Sequence, residues 1–430
     1  MLFTSMGELI PLYALYALLF ADHGMNPGQI SLLFALWAAT SLLLEVPSGA
    51  WADTVSRRGL LMLSGVLSAV GFVLWIVAPS FLGFAVGFVL WGAGDALASG
   101  TFEALLYDAL VLRGDAAAYP RLLGYTRAGA EAAVVVALVA ATPLYLYGGY
   151  AAVGWFSVAV ATVHATLALC LPATPKPVSA TPEVVSEQSP VAPIATAVDR
   201  GEPLRLVTRF LGMLKAGVGE AFRVKAVRYG VLLEALLFGI TAFDEYFALL
   251  AREAKISTAA VPLLIGLTVM GSLTGSAMAG RTAGMSGRTM STVLGLAGVL
   301  LLGAALLSGL AAGRPDAAYL LAVVAFVAIG ASYGIAHNAA AVAAARLQAA
   351  IEGPARATVT SVAGLFRELV ALAVFALAAV VTVWWSMFVL VAVFGVAVLG
   401  IAVLTPSWLP AQRNWKGGLH HEGPSGGSPQ

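Results

Sequence analysis

A chain of 430 residues that is 60% hydrophobic and 10% charged, with mean hydropathy +0.91, is no ordinary soluble domain. Such a domain carries about a quarter of its residues as charges. A formal net charge of +1 leaves no field for holding nucleic acid. The single cysteine, Cys170, excludes an internal disulfide and reads as a packing residue in an apolar run.

Lipid is the solvent that tolerates such a surface. Only segments that satisfy their own backbone cross it, so the chain is read as an all-α integral membrane protein. A crossing helix needs about 20 apolar residues. In chain order the first apolar runs are 2–21, 28–50, 59–78, 81–101, 125–146 and 149–171, which makes 1–171 a six-helix unit. Met1 opens directly on the first run, without the basic flank or cleavage site of a signal peptide. Residues 172–203 are rich in Pro, Ser, Val, Ala and Glu and read as a flexible linker. Val207, Phe210, Leu211, Leu214, Val218 and Phe222 then recur at helical spacing among basic residues. That pattern fits an amphipathic helix on the inner leaflet and extends the linker region to 226. A second set of runs follows at 227–250, 258–280, 289–312, 317–344, 358–381 and 384–405, giving a second six-helix unit over 227–405. The tail 406–430, with Gly, Ser, Pro, His420 and His421, is read as disordered rather than as a metal site.

Lys and Arg favour the cytoplasmic side. With the N-terminus inside, the inner loops hold Arg57, Arg58, Arg113, Arg121, Arg281, Arg288, Arg346 and Arg356, besides the basic linker and tail. The outer loops hold Arg252, Lys255 and Arg314. Both termini are therefore expected in the cytoplasm.

The linker separates six helices from six, and a related loop recurs between the second and third helix of each half. The first copy is Gly49-Ala50-Trp51-Ala52-Asp53-Thr54-Val55-Ser56-Arg57-Arg58. The second is Gly280-Arg281-Thr282-Ala283-Gly284-Met285-Ser286-Gly287-Arg288. Gly49 and Gly280, Asp53 and Gly284, Ser56 and Gly287, and Arg57 and Arg288 all differ by the same 231 positions (280 − 49 = 288 − 57 = 231). Such repeats are how many transporters are built.

The arrangement resembles the major facilitator superfamily, whose loop reads approximately G-x-x-x-D-(R/K)-x-G-(R/K)-(R/K). Two departures stand in the first copy, Thr54 for a basic residue and Ser56 for glycine, and the second copy has no acid. Leu44-Glu45-Val46-Pro47-Ser48-Gly49 and Arg356-Ala357-Thr358-Val359-Thr360-Ser361 resemble the same superfamily. The resemblance implies twelve transmembrane helices in two six-helix bundles and transport by alternating access, without cofactor or metal. It also implies a gate formed by Gly49, Asp53, Arg57, Arg58, Gly280 and Arg288. Asp53 would there meet the positive N-terminal end of the eleventh helix. The expected setting is the cell membrane of a bacterium, with the protein acting as a monomer. Its expected partners are a small-molecule substrate, protons and the lipid bilayer.

Ionisable residues inside spans are costly and usually functional. The family's cavity is lined by the first, fourth, seventh and tenth helices. These carry Glu8, Asp95, Glu234, Asp244, Glu245, His337 and Asn338. The candidate substrate- or proton-binding set is Glu8, Asp95, Glu234, Glu245, His337 and Asn338. Counting along each helix puts Glu8, Glu45, Asp95, Glu234 and His337 in the inner half, and Asp22, Asp244 and Glu245 near the outer end. Glu234 and Glu245, eleven residues apart, are expected on one helical face. Arg127 and Glu131 are expected to pair at i,i+4. Glu103 and Asp108 read equally as rim residues in water. Acids gathered in a low-dielectric site repel one another, which suits proton exchange and a cationic cargo. The favoured function is proton-coupled export of a small cationic or amphipathic compound. The alternatives are import or facilitated passage of a polar metabolite or ion, and a membrane sensor that transports nothing. The drug-exporter pattern G-x-x-x-G-P-x-x-G is missing from the fifth helix, and Phe88 stands where many such exporters have arginine.

Overall fold

The computed structural model describes residues 1–172, 224–351 and 356–411. The surface helix expected over 207–222 and the tail histidines lie outside the described residues, as do the surroundings of Gly49 and the side chain of Asp53.

Among the described residues, eleven segments are helical and apolar enough to cross a membrane. One of them, Ala116–Cys170, has 55 residues. At about 1.5 Å per residue it would reach more than twice the ~30 Å hydrocarbon thickness. It is broken at Gly148 and Gly149; the latter has φ 61° and ψ −153°, a conformation open only to glycine. This segment therefore makes two crossings, the fifth and sixth, which gives twelve among the described residues. The first four helices are Leu2–Asp22, Pro27–Thr54, Arg57–Val77 and Phe81–Leu112. The seventh to ninth are Lys225–Glu253, Val261–Thr282 and Gly287–Ala312. Ala318–Ala350, Arg356–Trp384 and Met387–Trp408 complete the set. The fourth runs past its expected end because Gly100, at φ 68°, restarts it as Thr101–Leu112. Met1, Arg57 and Arg288 share one end of the bundle, here named the basic end.

The repeated loops are helix junctions. In the first, Ser56 caps the third helix by accepting from the Gly59 amide at 3.3 Å. In the second, Ser286 caps the ninth helix through the Thr289 amide at 3.1 Å, and Gly287 is its first residue. Ser56, in place of the loop's glycine, and Ser286, one position before it, each supply an N-cap acceptor for an otherwise orphaned amide.

The first and seventh helices are interrupted, which the hydropathy did not reveal. The first loses α geometry between Leu9 and Leu15, around a 3-10 turn at Pro11–Ala14. The seventh becomes a 3-10 segment over Ile240–Tyr246. The two breaks obey the loop's offset (9 + 231 = 240; 15 + 231 = 246). Pro11 supplies no amide to its helix. The amide of Leu12, released by the break, donates to Ser157 Oγ on the sixth helix at 3.1 Å. Mid-helix 3-10 turns often mark hinges.

Within the second half, the eighth and tenth helices pack through two glycine pairs. A methyl group on Gly271 would overlap the Gly330 carbonyl, and one on Gly275 would overlap that of Gly334. Small-xxx-small spacing on both helices permits this approach.

The halves meet away from the basic end. Tyr16 donates its hydroxyl to Glu245, and Tyr246 donates to Ser31 at 2.8 Å. Farther out, Arg252 pairs with Asp22 at 2.6 Å, and Thr142 donates to the Ala259 carbonyl at 2.8 Å. These bonds close the end opposite the basic one.

Candidate functional site

A cavity of about 430 Å³ lies between the halves. Glu45 and Asp95 reach it from the first half, and Asp244, Glu245, Arg367 and Glu368 from the second. Five carboxylates thus face one guanidinium, with Trp37, Phe238 and Phe375 forming apolar wall. Volume and lining suit a small molecule held by a few placed polar groups.

Several of these polar groups have a partner of their own. Trp37 Nε1 donates to Asp95 Oδ2 at 2.9 Å. Tyr333 donates to Asp244 Oδ2 at 2.6 Å. The Arg367 guanidinium lies 4.9 Å from the centre of the Phe238 ring and 3.5 Å from Glu234 Oε1. Glu234 is 5% exposed, so it anchors Arg367 from behind and does not itself line the cavity.

Several expected relationships change. Glu234 and Glu245 do not share a face, because the 3-10 segment turns about 120° per residue instead of 100° and adds about a third of a turn. Asp244 and Glu245 do not form a separate outer group; the broken helix brings them into the cavity with Asp95. Arg127 pairs with Glu103, at 3.1 Å, and not with Glu131. Asp108 binds Arg57, so these two acids near the basic end are both ion-paired. His337 is half-buried behind Tyr333, with ring centroids 4.5 Å apart, and is outside the cavity lining. Asn338 fastens the tenth helix to the eighth: its Nδ2 donates to the Gly275 carbonyl at 2.9 Å, and its Oδ1 accepts from Thr282 at 3.0 Å. Glu8 faces a different cavity, inside the first half. Arg58 donates to the Leu171 carbonyl at 3.4 Å, while Gly280 and Arg288 are exposed at the basic end.

The tyrosines and tryptophans that hold the carboxylates, Tyr16, Trp37 and Tyr333, escaped the sequence reading. An aromatic in an apolar run looks like packing. Only its hydroxyl or indole nitrogen betrays a need for a partner once buried.

The model of the Major Facilitator Superfamily matches residues 1–374. The chain belongs to that superfamily. It is a multi-pass membrane transporter. Among solved structures, a point mutant of the nucleoside transporter NupG superposes with TM-score 0.71 at 9% identity, covering 95% of this chain and 98% of that one. A bacterial homologue of the iron transporter ferroportin, in an inward-facing state, gives 0.66 at 16% identity, over 95% and 96%. A peptide transporter, POT, in complex with alafosfalin gives 0.65 at 12% identity, over 94% and 92%. No curated protein matches the sequence. At these identities the superfamily structures share the fold alone.

Proposed function

We propose that this superfamily member is a proton-coupled exporter of small cationic or amphipathic compounds, with the central cavity as its binding site. The observation that carries the reading is the lining: Glu45, Asp95, Asp244, Glu245 and Glu368 against Arg367, beside Trp37, Phe238 and Phe375. A cavity with an excess of carboxylates favours a cation, and aromatic faces add cation–π attraction. Protons and cargo compete for the same carboxylates, which makes exchange the economical scheme. In this reading the basic end is cytoplasmic, following the positive-inside bias. The closed opposite end then corresponds to an inward-facing state. Asp53, with Arg57 and Arg58, belongs to the gate at the basic end.

The solved structures of similar fold are nucleoside, iron and peptide transporters, so cargo chemistry must be read from the cavity. The test is reconstitution in proteoliposomes with an imposed pH gradient, followed by a panel of tetraphenylphosphonium, ethidium, a nucleoside and a dipeptide. Accumulation of the cations driven by the gradient supports the reading. Gradient-independent movement of the nucleoside or dipeptide alone would replace it with facilitated passage of a polar metabolite.

A further inference from the structure

A second cavity, of about 290 Å³, lies wholly within the first six helices. Glu103 and Arg127 line it toward the basic end, where their side chains are 46% and 70% exposed. Glu8 stands deeper in the first helix, and Asp95 lines the cavity from the fourth. Among the residues that line the two cavities, Asp95 alone is common to both.

The partition between them is a stack of three rings. Tyr13 stacks on Trp91 at 5.0 Å, and Trp91 stacks on Trp37 at 5.1 Å. Tyr13 and Trp91 line the inner cavity of the first half, while Trp37 lines the central one. Trp37 also donates to Asp95. Stacked aromatic rings thus stand between the two linings, with the Asp95 carboxylate common to both.

We propose that the cavity inside the first half is a proton route, running from the Glu103–Arg127 rim past Glu8 to Asp95, separate from the cavity that takes the cargo. The idea rests on the proton coupling proposed above. Polar cavities of this kind take buried water, and water passes a proton along without net movement of other atoms. A proton leaves the water file for an Asp95 carboxylate oxygen, with Glu8 as an intermediate acceptor. On the opposite side of the wall, a cation then loses the charge that held it. Cargo and proton thus reach one carboxylate from two sides, and the arriving proton releases the cation.

The groups facing Asp95 are few enough to name. Glu8 and Tyr13 come from the first helix, Arg127 from the fifth and His164 from the sixth. Trp37 and Glu45 come from the second helix, Asp244 and Glu245 from the seventh, and Arg367 and Glu368 from the eleventh. The third helix presents Ser64 and Ser68.

The test needs no cargo. In purified full-length protein, the carboxyl band of Asp95 is assigned by infrared difference against Asp95→Asn and followed after a pH jump. Ala130→Phe fills the cavity of the first half. Ser41→Cys, labelled with a bulky maleimide in a Cys170→Ser background, fills the central cavity. The expected result is a slowed Asp95 response with Ala130→Phe and an unchanged one with the central plug. The reverse pattern overturns the route, as does an Asp95 band that never responds to pH. If Ala130→Phe is misfolded by size exclusion, Glu8→Gln decides at unchanged volume: a response as fast as wild type overturns the proposal. Failure of coupling in the transport assay, with this pattern intact, would remove the exchange mechanism and leave the route standing.

Discussion

Tyr16 and Glu245 join the two halves at their interrupted helices, and the carboxylate that accepts this bond also lines the central cavity. Tyr16 begins the α-helical turns beyond the first break, and Glu245 lies within the second. The closure of one end and the chemistry of the cavity therefore share one side chain.

Removing the tyrosine hydroxyl alone should loosen that end. A hydrogen bond contributes about 0.5–1.5 kcal/mol net, so Tyr16→Phe should shift the closed–open equilibrium by about 2- to 10-fold. A cysteine replacing Ala248, which is 5% exposed in this state, reports the change as faster maleimide labelling in a Cys170→Ala background. Labelling at the parental rate would mean the bond does not hold this end shut.

Arg252 and Asp22 form the outermost link, but their side chains are 46% and 36% exposed. An exposed pair contributes less than ~1 kcal/mol and is screened by salt. Arg252→Gln should thus raise Ala248→Cys labelling modestly at low ionic strength and not at all in high salt. The effect of Tyr16→Phe should persist in both. An Arg252→Gln effect that survives high salt and exceeds that of Tyr16→Phe reverses this ranking.

Glu234 is buried against Arg367, and its Oε2 has no hydrogen-bond partner among the described residues. Arg367→Ala strands that carboxylate. Because the Arg367 side chain is itself 37% exposed, the cost is discounted to about 1–3 kcal/mol. Thermal unfolding in detergent should show a clear loss for Arg367→Ala and substantial recovery in the Arg367→Ala, Glu234→Ala double variant. Additive losses would show that the two side chains do not act as a pair.

The glycine contact between the eighth and tenth helices has an internal control. Gly271→Ala collides with the Gly330 carbonyl, whereas Gly266, on the same helix, has open space where a methyl would stand. Overpacking costs about 1–3 kcal/mol, while alanine in place of a free helical glycine gains about 0.5–1 kcal/mol. Melting temperature should fall for Gly271→Ala and hold or rise for Gly266→Ala.

The proposed gate acid predicts a kinetic phenotype. Asp53→Asn is expected to slow cargo turnover in proteoliposomes while leaving the equilibrium affinity for tetraphenylphosphonium unchanged. Parallel loss of both would place Asp53 in the binding site instead of the gate.

The sequence by itself determined the crossings, the division into halves and the end that carries the basic residues. The hydrocarbon core demands about 20 apolar residues per helix, and that demand is written locally in the chain. The boundary between the fifth and sixth helices was legible for the same reason, since Gly148-Gly149 interrupts an otherwise continuous apolar run. The 231-residue offset exposed the repeat, though not that the helix breaks at 9–15 and 240–246 obey it. Only the tertiary structure decided which charges meet. Arg127 chose Glu103 over Glu131, and Arg367 found Glu234, across distances no spacing rule covers. The physical reason is rotational: a 3-10 turn swings every later side chain around its axis, and helices far apart in sequence meet at angles set by packing. Asp95 shows both levels. An acid inside an apolar span marks it as functional, but its place in a wall between two cavities exists only in the packed fold.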